Sequence, residues 1–310
     1  MGILENMFKW FTVKDKDGKE MNLGYVLDGE PKTIQDVEKV FKAFQLEKYF
    51  DKIKPLIKPK IDLILTPTDE SKINTANSKI GGQPNLPKDQ EWPKNEHGKS
   101  LSFIGQINFE ETSKYDKSEL LPKQGLVSFF YCADQEAWGF DPKDKDRFKV
   151  IYTDKATELC KQDFPTDLES HSIFKPNILT FSSSLSLPTW QEDSIDGLIK
   201  DEDSDNYMDA SGSSENQILG YANCVQGTME LECQLVTNGL YCGDSTGYQN
   251  TKRKELEAGK HDWVLLLQID SEEDKAGMMW GDCGRIYFWI RKQDLLNKNF
   301  DRAWCILQCH

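Results

Sequence analysis

The pentapeptide "GDSTG" (243–247) has the G-x-S-x-G spacing that lifts a nucleophilic serine onto a sharp strand-to-helix turn. Ser245 would be the nucleophile, "QLVTNGLYC" (234–242) the strand before it and "TKRKELEAG" (251–259) the helix after it. Asp282 and then His310 supply an acid and a histidine in the required order. The elbow, however, belongs to folds built from βαβ crossovers, and this chain reads as strand meanders, so the match is read as a glycine-bounded turn. An enzyme whose site is assembled from distant strands stays open as the competing class. It requires Ser245, His261, Asp262 and Asp282 to meet in one pocket.

Metal chemistry fares no better. Cys305, Cys309 and His310 close the chain as "CILQCH", but on a strand four residues span about 13 Å, while a Zn–S bond is about 2.3 Å. No C-x-x-C occurs, and His97, His171 and His261 are scattered. Asp201, Asp203 and Asp205 imitate the first ligands of a calcium loop. The pattern then fails, because Asn206 stands where the sharp-turn glycine belongs and Gly212 where the bidentate acid belongs. No metal and no cofactor are expected.

"NSKIGGQPNLP" (77–87) sets lysine and serine beside paired glycines, but ahead of them, whereas a phosphate-binding loop has them behind. Pro84 and Pro87 remove amide donors where a phosphate cradle would need them, so the stretch is expected to be a turn that lets backbones approach. "EAWGFDP" (136–142) and "GMMWGDCG" (277–284) each place a tryptophan beside glycine and near an aspartate. Indoles beside carboxylates suit a ligand groove, so Trp138, Trp280 and Asp282 are candidate ligand-binding residues, against tryptophan simply packed over a turn. Gln106 and Gln268 lie between apolar neighbours. They are expected to clamp backbone first and to contact a ligand second.

These residues must be positioned by elements that the chain shows plainly. Ile34, Val37, Val40, Phe41, Phe44, Tyr49, Phe50, Ile53 and Ile57 recur at helical spacing, predicting one broken helix or two short ones ended by Pro55 and Pro59. "KIDLILT" (60–66) reads as a strand. Beyond it the chain repeats itself: "LSFIGQINF" (101–109) lies over "WVLLLQIDS" (263–271), "GLVSFFYC" over "GRIYFWIR", and "RFKVIYTD" over "RAWCILQC". "IGGQPN" (80–85) is set over "LGYANC" (219–224). A duplicated β unit follows, its strands apolar on both faces as in a covered sheet. The expected organisation is a helical segment 1–59, a first β repeat 60–159, a connecting segment 160–216 with an acidic loop, and a second repeat 217–310. Residues 60–310 pack as one mainly β, roll-like α+β domain. Within the connection, 177–188 reads as a strand, 189–200 as a short helix and 201–216 as an exposed loop.

With 310 residues the chain can bury a large core without staples. Its formal charge is −14, from 52 acids against 38 bases. That argues against a nucleic-acid ligand, so none is expected, and it makes a basic protein partner the natural expectation. No apolar run approaches a membrane span. "MGILENMFKWF" lacks a secretory pattern, so a cytoplasmic location with reduced cysteines is expected, and Ile3, Leu4, Met7, Phe8 and Phe11 suit a short docking helix.

"SKIGGQPNLP", "WP", "SFIGQINF", "LPKQGLVSFFY", "WGFDP", "WVLLLQID", "GMMWGDCGRIYFWI" and "ILQC" stand in the order in which the YwqG-like family carries such motifs, over about residues 60–310. The chain resembles that family of unknown function. The resemblance implies a mainly β, roll-like fold with N-terminal helices, and it supplies no catalytic residues. The function expected is a non-enzymatic binding protein, in one form immunity- or antidote-like against a basic partner. Small-molecule binding at the tryptophan turns is a further alternative.

Overall fold

The computed structural model describes residues 12–14, 20–22, 29–154, 158–212 and 214–310; the stretch containing Ile3 to Phe11 lies outside them. The chain divides into two compact units, 1–59 with 184–213, and 60–183 with 214–310.

In the first unit, β1 (Thr12–Lys14) pairs with β2 (Glu20–Asn22). The broken helix is present as an α-helix at Ile34–Ala43, 3-10 turns at Glu47–Tyr49 and Lys54–Leu56, and a single α turn at Phe50–Ile53 between them. Thr33 starts it with a reciprocal cap. Its hydroxyl accepts from the Asp36 amide (3.2 Å), and the Asp36 carboxylate accepts from the Thr33 amide (3.0 Å). Val37 and Phe41 are buried beside Phe44, Ile53, Ile195 and Tyr207. Residues 189–200 form only a 3-10 turn at Asp193–Ile195, and the segment expected as an acidic loop is helical, at Asp201–Asp203 and Ser204–Ser211. Two anchors fold it. The Tyr207 hydroxyl donates to the Pro188 carbonyl (2.8 Å), and Asp203 accepts from the Tyr49 hydroxyl (2.5 Å) and the Lys48 ammonium (2.7 Å).

The strands of the second unit begin with β3 (Lys58–Pro67), β4 (Lys79–Ile80) and β5 (Asn85–Pro87). They continue with β6 (Ser102–Asn108), β7 (Leu126–Tyr131), β8 (Phe148–Thr153), β9 (Leu159–Lys161) and β10 (Asn177–Ser186). The last four are β11 (Gln217–Leu219), β12 (Trp263–Asp270), β13 (Arg285–Arg291) and β14 (Trp304–Gln308). Ten of them form one sheet in the order β14-β13-β12-β11-β3-β10-β4-β6-β7-β8, and β5 pairs separately with β9.

Reading inwards from either edge gives the same sequence of elements, as a duplication requires. The copies agree in fine detail. β6 slips against β7 between Phe103 and Gly105, and β12 slips against β13 between Leu265 and Leu267, placing Ile104 and Leu266 as the extra residues of matching bulges. Phe129 and Phe288, paired by the sequence repeat, meet across the interior with ring centroids 5.0 Å apart. The edge strands also approach, Phe148 of β8 lying edge-on to Trp304 of β14 at 5.3 Å. The sheet is therefore rolled almost into a barrel, and aromatic residues fill both of its faces.

One alignment changes. Gly81 and Gly82 have φ of +67° and +71°, and the matching left-handed pair is Leu219 (+62°) and Gly220 (+72°). "ILGYAN" (218–223), not "LGYANC", thus lies over "IGGQPN". Gly81 cannot be replaced by a larger residue, because a Cβ there would stand 2.2 Å from the Lys175 carbonyl oxygen.

Candidate functional site

Gln106 on β6 and Gln268 on β12 are fully buried, and each fastens the turn that precedes it in its own copy. The Gln106 Oε1 accepts from the Asn85 amide (2.9 Å), while its Nε2 donates to the Asn77 carbonyl (2.8 Å) and the Asn85 side chain (2.9 Å). The Gln268 Oε1 accepts from the Asn223 amide (2.9 Å), and its Nε2 donates to the carbonyls of Ser214 (2.8 Å) and Glu215 (3.0 Å). Two further bonds repeat. The Asn108 amide donates to the Ser78 hydroxyl (2.8 Å), as the Asp270 amide does to the Asn216 side-chain oxygen (2.9 Å). The Lys79 ammonium reaches the Gln83 carbonyl where Gln217 Nε2 reaches that of Tyr221. Lys79 also holds Glu70 (2.7 Å), and burial outweighs that pairing, lowering the pKa of the lysine. Both glutamines spend their hydrogen-bonding groups on backbone and on one asparagine, so they are internal clamps.

The tryptophan turns are brought together by a residue that carried no signal in the sequence. Gln135 donates from Nε2 to the Met279 carbonyl (2.9 Å) and accepts at Oε1 from the Gly281 amide (3.0 Å). Trp280 is 1% exposed, donates to the Asp270 carbonyl (3.2 Å) and packs edge-on to Phe174 and Tyr131. It is a core residue and presents no indole face to a ligand. Trp138 is half-buried, and its carbonyl accepts from the Leu307 amide (3.2 Å), so its turn covers the outer edge of β14. Asp282 is exposed, its carbonyl accepting from the His310 amide (3.2 Å).

Ser245 opens a single helical turn, Ser245–Tyr248, whose amide at Thr246 is capped by Asp244 (2.8 Å). The segment expected as the strand before it, 234–242, begins inside the end of a helix, Glu230–Val236, which buries Cys233, Leu235 and Val236, and it forms no strand. Among the described residues no hydrogen bond joins Ser245 to His261, Asp262, Asp282 or His310, and His261 and Asp262 are exposed. The nucleophile elbow is therefore not assembled here. The cysteines are free, and burial pushes Cys132 and Cys242 up to about 12 and Cys233 and Cys305 well above the usual thiol range. Their thiolates are disfavoured at neutral pH. Among the described residues no group of three His, Cys, Asp or Glu side chains is placed to hold a metal ion, and the Asp203 of the calcium-like pattern is engaged by Tyr49 and Lys48. The half-buried carboxyl of Glu232 accepts from the Tyr248 hydroxyl (2.8 Å), and desolvation raises its pKa despite that bond.

These features define a rolled antiparallel β protein of two like halves, each pinned by one buried glutamine. The chain belongs to the family described as Domain of unknown function (DUF1963), whose profile matches residues 78–309. That match starts at Ser78, within the first clamped turn, and runs through both copies. No curated protein matches the chain. No helix among the described residues is long and apolar enough to cross a membrane.

Proposed function

We propose that the chain is a non-enzymatic binding protein of the cytoplasm that engages a basic protein partner through its acidic segment, residues 192–209. Within its family we place it with the YwqG-like proteins, on the motifs quoted above. The carrying observation is the distribution of charge. Residues 192–209 contain eight acids and a single base, Lys200. Asp201, Glu202, Asp205 and Asp209 are exposed along the helical part, with Met208, 45% exposed, between the last two. Asp209 has its pKa raised by partial burial and then by Asp205, so these carboxylates repel one another. A cationic surface laid over them would relieve that repulsion and accelerate encounter, and Met208 would supply an apolar contact at its centre.

An immunity- or antidote-like role is one concrete form: occlusion of a basic toxin by charge complementarity. The enzyme reading has less support, because among the described residues no hydrogen bond joins Ser245 to His261 or Asp262, and burial raises the pKa of the thiols of Cys132, Cys233, Cys242 and Cys305. The test is affinity capture from the source cell's lysate at low and at raised salt. The bait is the wild-type chain, beside a variant carrying Asp201→Asn, Glu202→Gln, Asp205→Asn and Asp209→Asn. Asp203 is left intact, because it ties the helix to Lys48 and Tyr49. A basic protein recovered by the wild type, released by salt and lost with the variant supports the proposal. Capture indifferent to both salt and substitution overturns it.

A further inference from the structure

We propose that a cleft beside the seam of the rolled sheet binds a small organic oxyanion, a carboxylate or phosphate carried on an apolar body. The cleft encloses about 520 Å³ and is lined by Trp263 and Arg291, by Trp304, and by Val236, Pro142 and Lys145. It lies in the second unit and does not depend on the partner proposed above.

Arg291 ends β13 opposite Trp263, the first residue of β12. Its guanidinium stacks on that indole, 5.2 Å from the ring centroid. One nitrogen, Nη2, donates to the Gln234 Oε1 (3.1 Å) and the Thr237 hydroxyl (3.5 Å). Gln234 is itself buried and fixed, because the Trp263 Nε1 donates to the same oxygen (3.0 Å). The guanidinium is thus held in one orientation at no further entropic cost on binding. Among the described residues it has no carboxylate partner, and Nε and Nη1 make no hydrogen bond with the protein. Among the described residues this arginine is firmly placed and has no counter-ion. A planar fork with two free donors matches a carboxylate or a phosphate.

Lys145 supplies a second cation. Its ammonium is steered by the carbonyls of Asp301 (2.6 Å) and Ala303 (3.3 Å), with no carboxylate in ion-pair range among the described residues. Its side chain is exposed, its pKa is lowered by partial desolvation and, next, by Lys149, and the attraction of an arriving anion would offset both effects. The remaining charged groups on the cleft are Arg302, Asp294 and Asp301. Asp294 is engaged by the Asn299 side chain (3.3 Å) and lies 3.9 Å from the Arg302 Nε. The two aspartates limit the positive excess, which fits one oxyanion group and disfavours a polyphosphate. Val236, Pro142 and Trp304 form the apolar wall for the rest of the ligand.

The probes are benzoate, phenyl phosphate and the neutral control benzamide, titrated by calorimetry into the intact chain. At least one oxyanion is expected to bind with a dissociation constant of about 1 mM or tighter, benzamide not at all, and Arg291→Gln and Arg291→Lys to weaken binding by about tenfold or more. Bound oxyanion should also shield Arg291 of the wild type from phenylglyoxal, read by peptide mass spectrometry. That second readout stands even where the variants fail to fold. Absence of both heat and shielding with either oxyanion overturns the proposal, as does unchanged affinity in folded Arg291→Gln.

Discussion

Replacing Gln106 by leucine removes a side chain that is fully buried and that satisfies two backbone groups of the preceding turn, the amide of Asn85 and the carbonyl of Asn77. The Asn85 side-chain oxygen keeps a second donor, the Ala76 amide (3.1 Å), so it is not orphaned. A buried polar group deprived of its partner costs about 1–3 kcal/mol, which puts the substitution at about 2–6 kcal/mol for the two groups. Gln268→Leu strips the Asn223 amide and the Glu215 carbonyl in the matching place, while the Ser214 carbonyl keeps the Asn223 side-chain amide (3.3 Å), and should cost a similar amount. Against a total stability of about 5–15 kcal/mol either loss is large. Urea unfolding followed by both circular dichroism and tryptophan fluorescence reads it directly. A change below about 0.5 kcal/mol in either variant, the range of an ordinary surface substitution, would refute the clamp argument. A large loss at one glutamine and none at the other would refute the equivalence of the two copies.

Three further outcomes are expected. Gly81→Ala should destabilise strongly or prevent folding, since the new Cβ meets the Lys175 carbonyl at 2.2 Å and φ is +67°; a thermal midpoint equal to that of the wild type would contradict this. Glu232 has a pKa raised above its ordinary 4.5, so the stability it contributes is present below that value and is lost as pH rises through the raised one. Glu232→Gln should therefore be more stable than wild type at about pH 8 and should flatten the decline in urea midpoint from about pH 4.5 upward; an unchanged pH profile would contradict it. In the native protein a thiol reagent should label exposed Cys283 rapidly and leave Cys132, Cys233 and Cys305 untouched until the chain unfolds, as peptide mapping would show.

The β framework was legible because a covered strand leaves runs such as "SFFY" and "IYFWI" apolar on both faces, and a duplication preserves order. The glutamine clamps were legible for a related reason: an amide between apolar neighbours must find a partner, and both copies carry one. The one-residue error at "LGYANC" arose from setting glycine on glycine. Leu219 adopts the left-handed conformation that glycine holds in the first copy, and nothing in its side chain announces that. The helix at Ser204–Ser211 was hidden because only Tyr207 and Ala210 turn inward from an otherwise polar segment. Gln135 joins two turns 146 residues apart in the chain, and Arg291 reads as the polar end of a strand. Both act through tertiary neighbours that no local pattern encodes.

The most direct test of the proposed function is the capture experiment run quantitatively, with wild type and the four-residue neutralised variant compared at low and raised salt. An equimolar basic partner is expected, retained by the wild type at low salt, released as salt rises and absent from the variant. Recovery of the bare chain, or of a partner held equally by both proteins at every salt concentration, would contradict it.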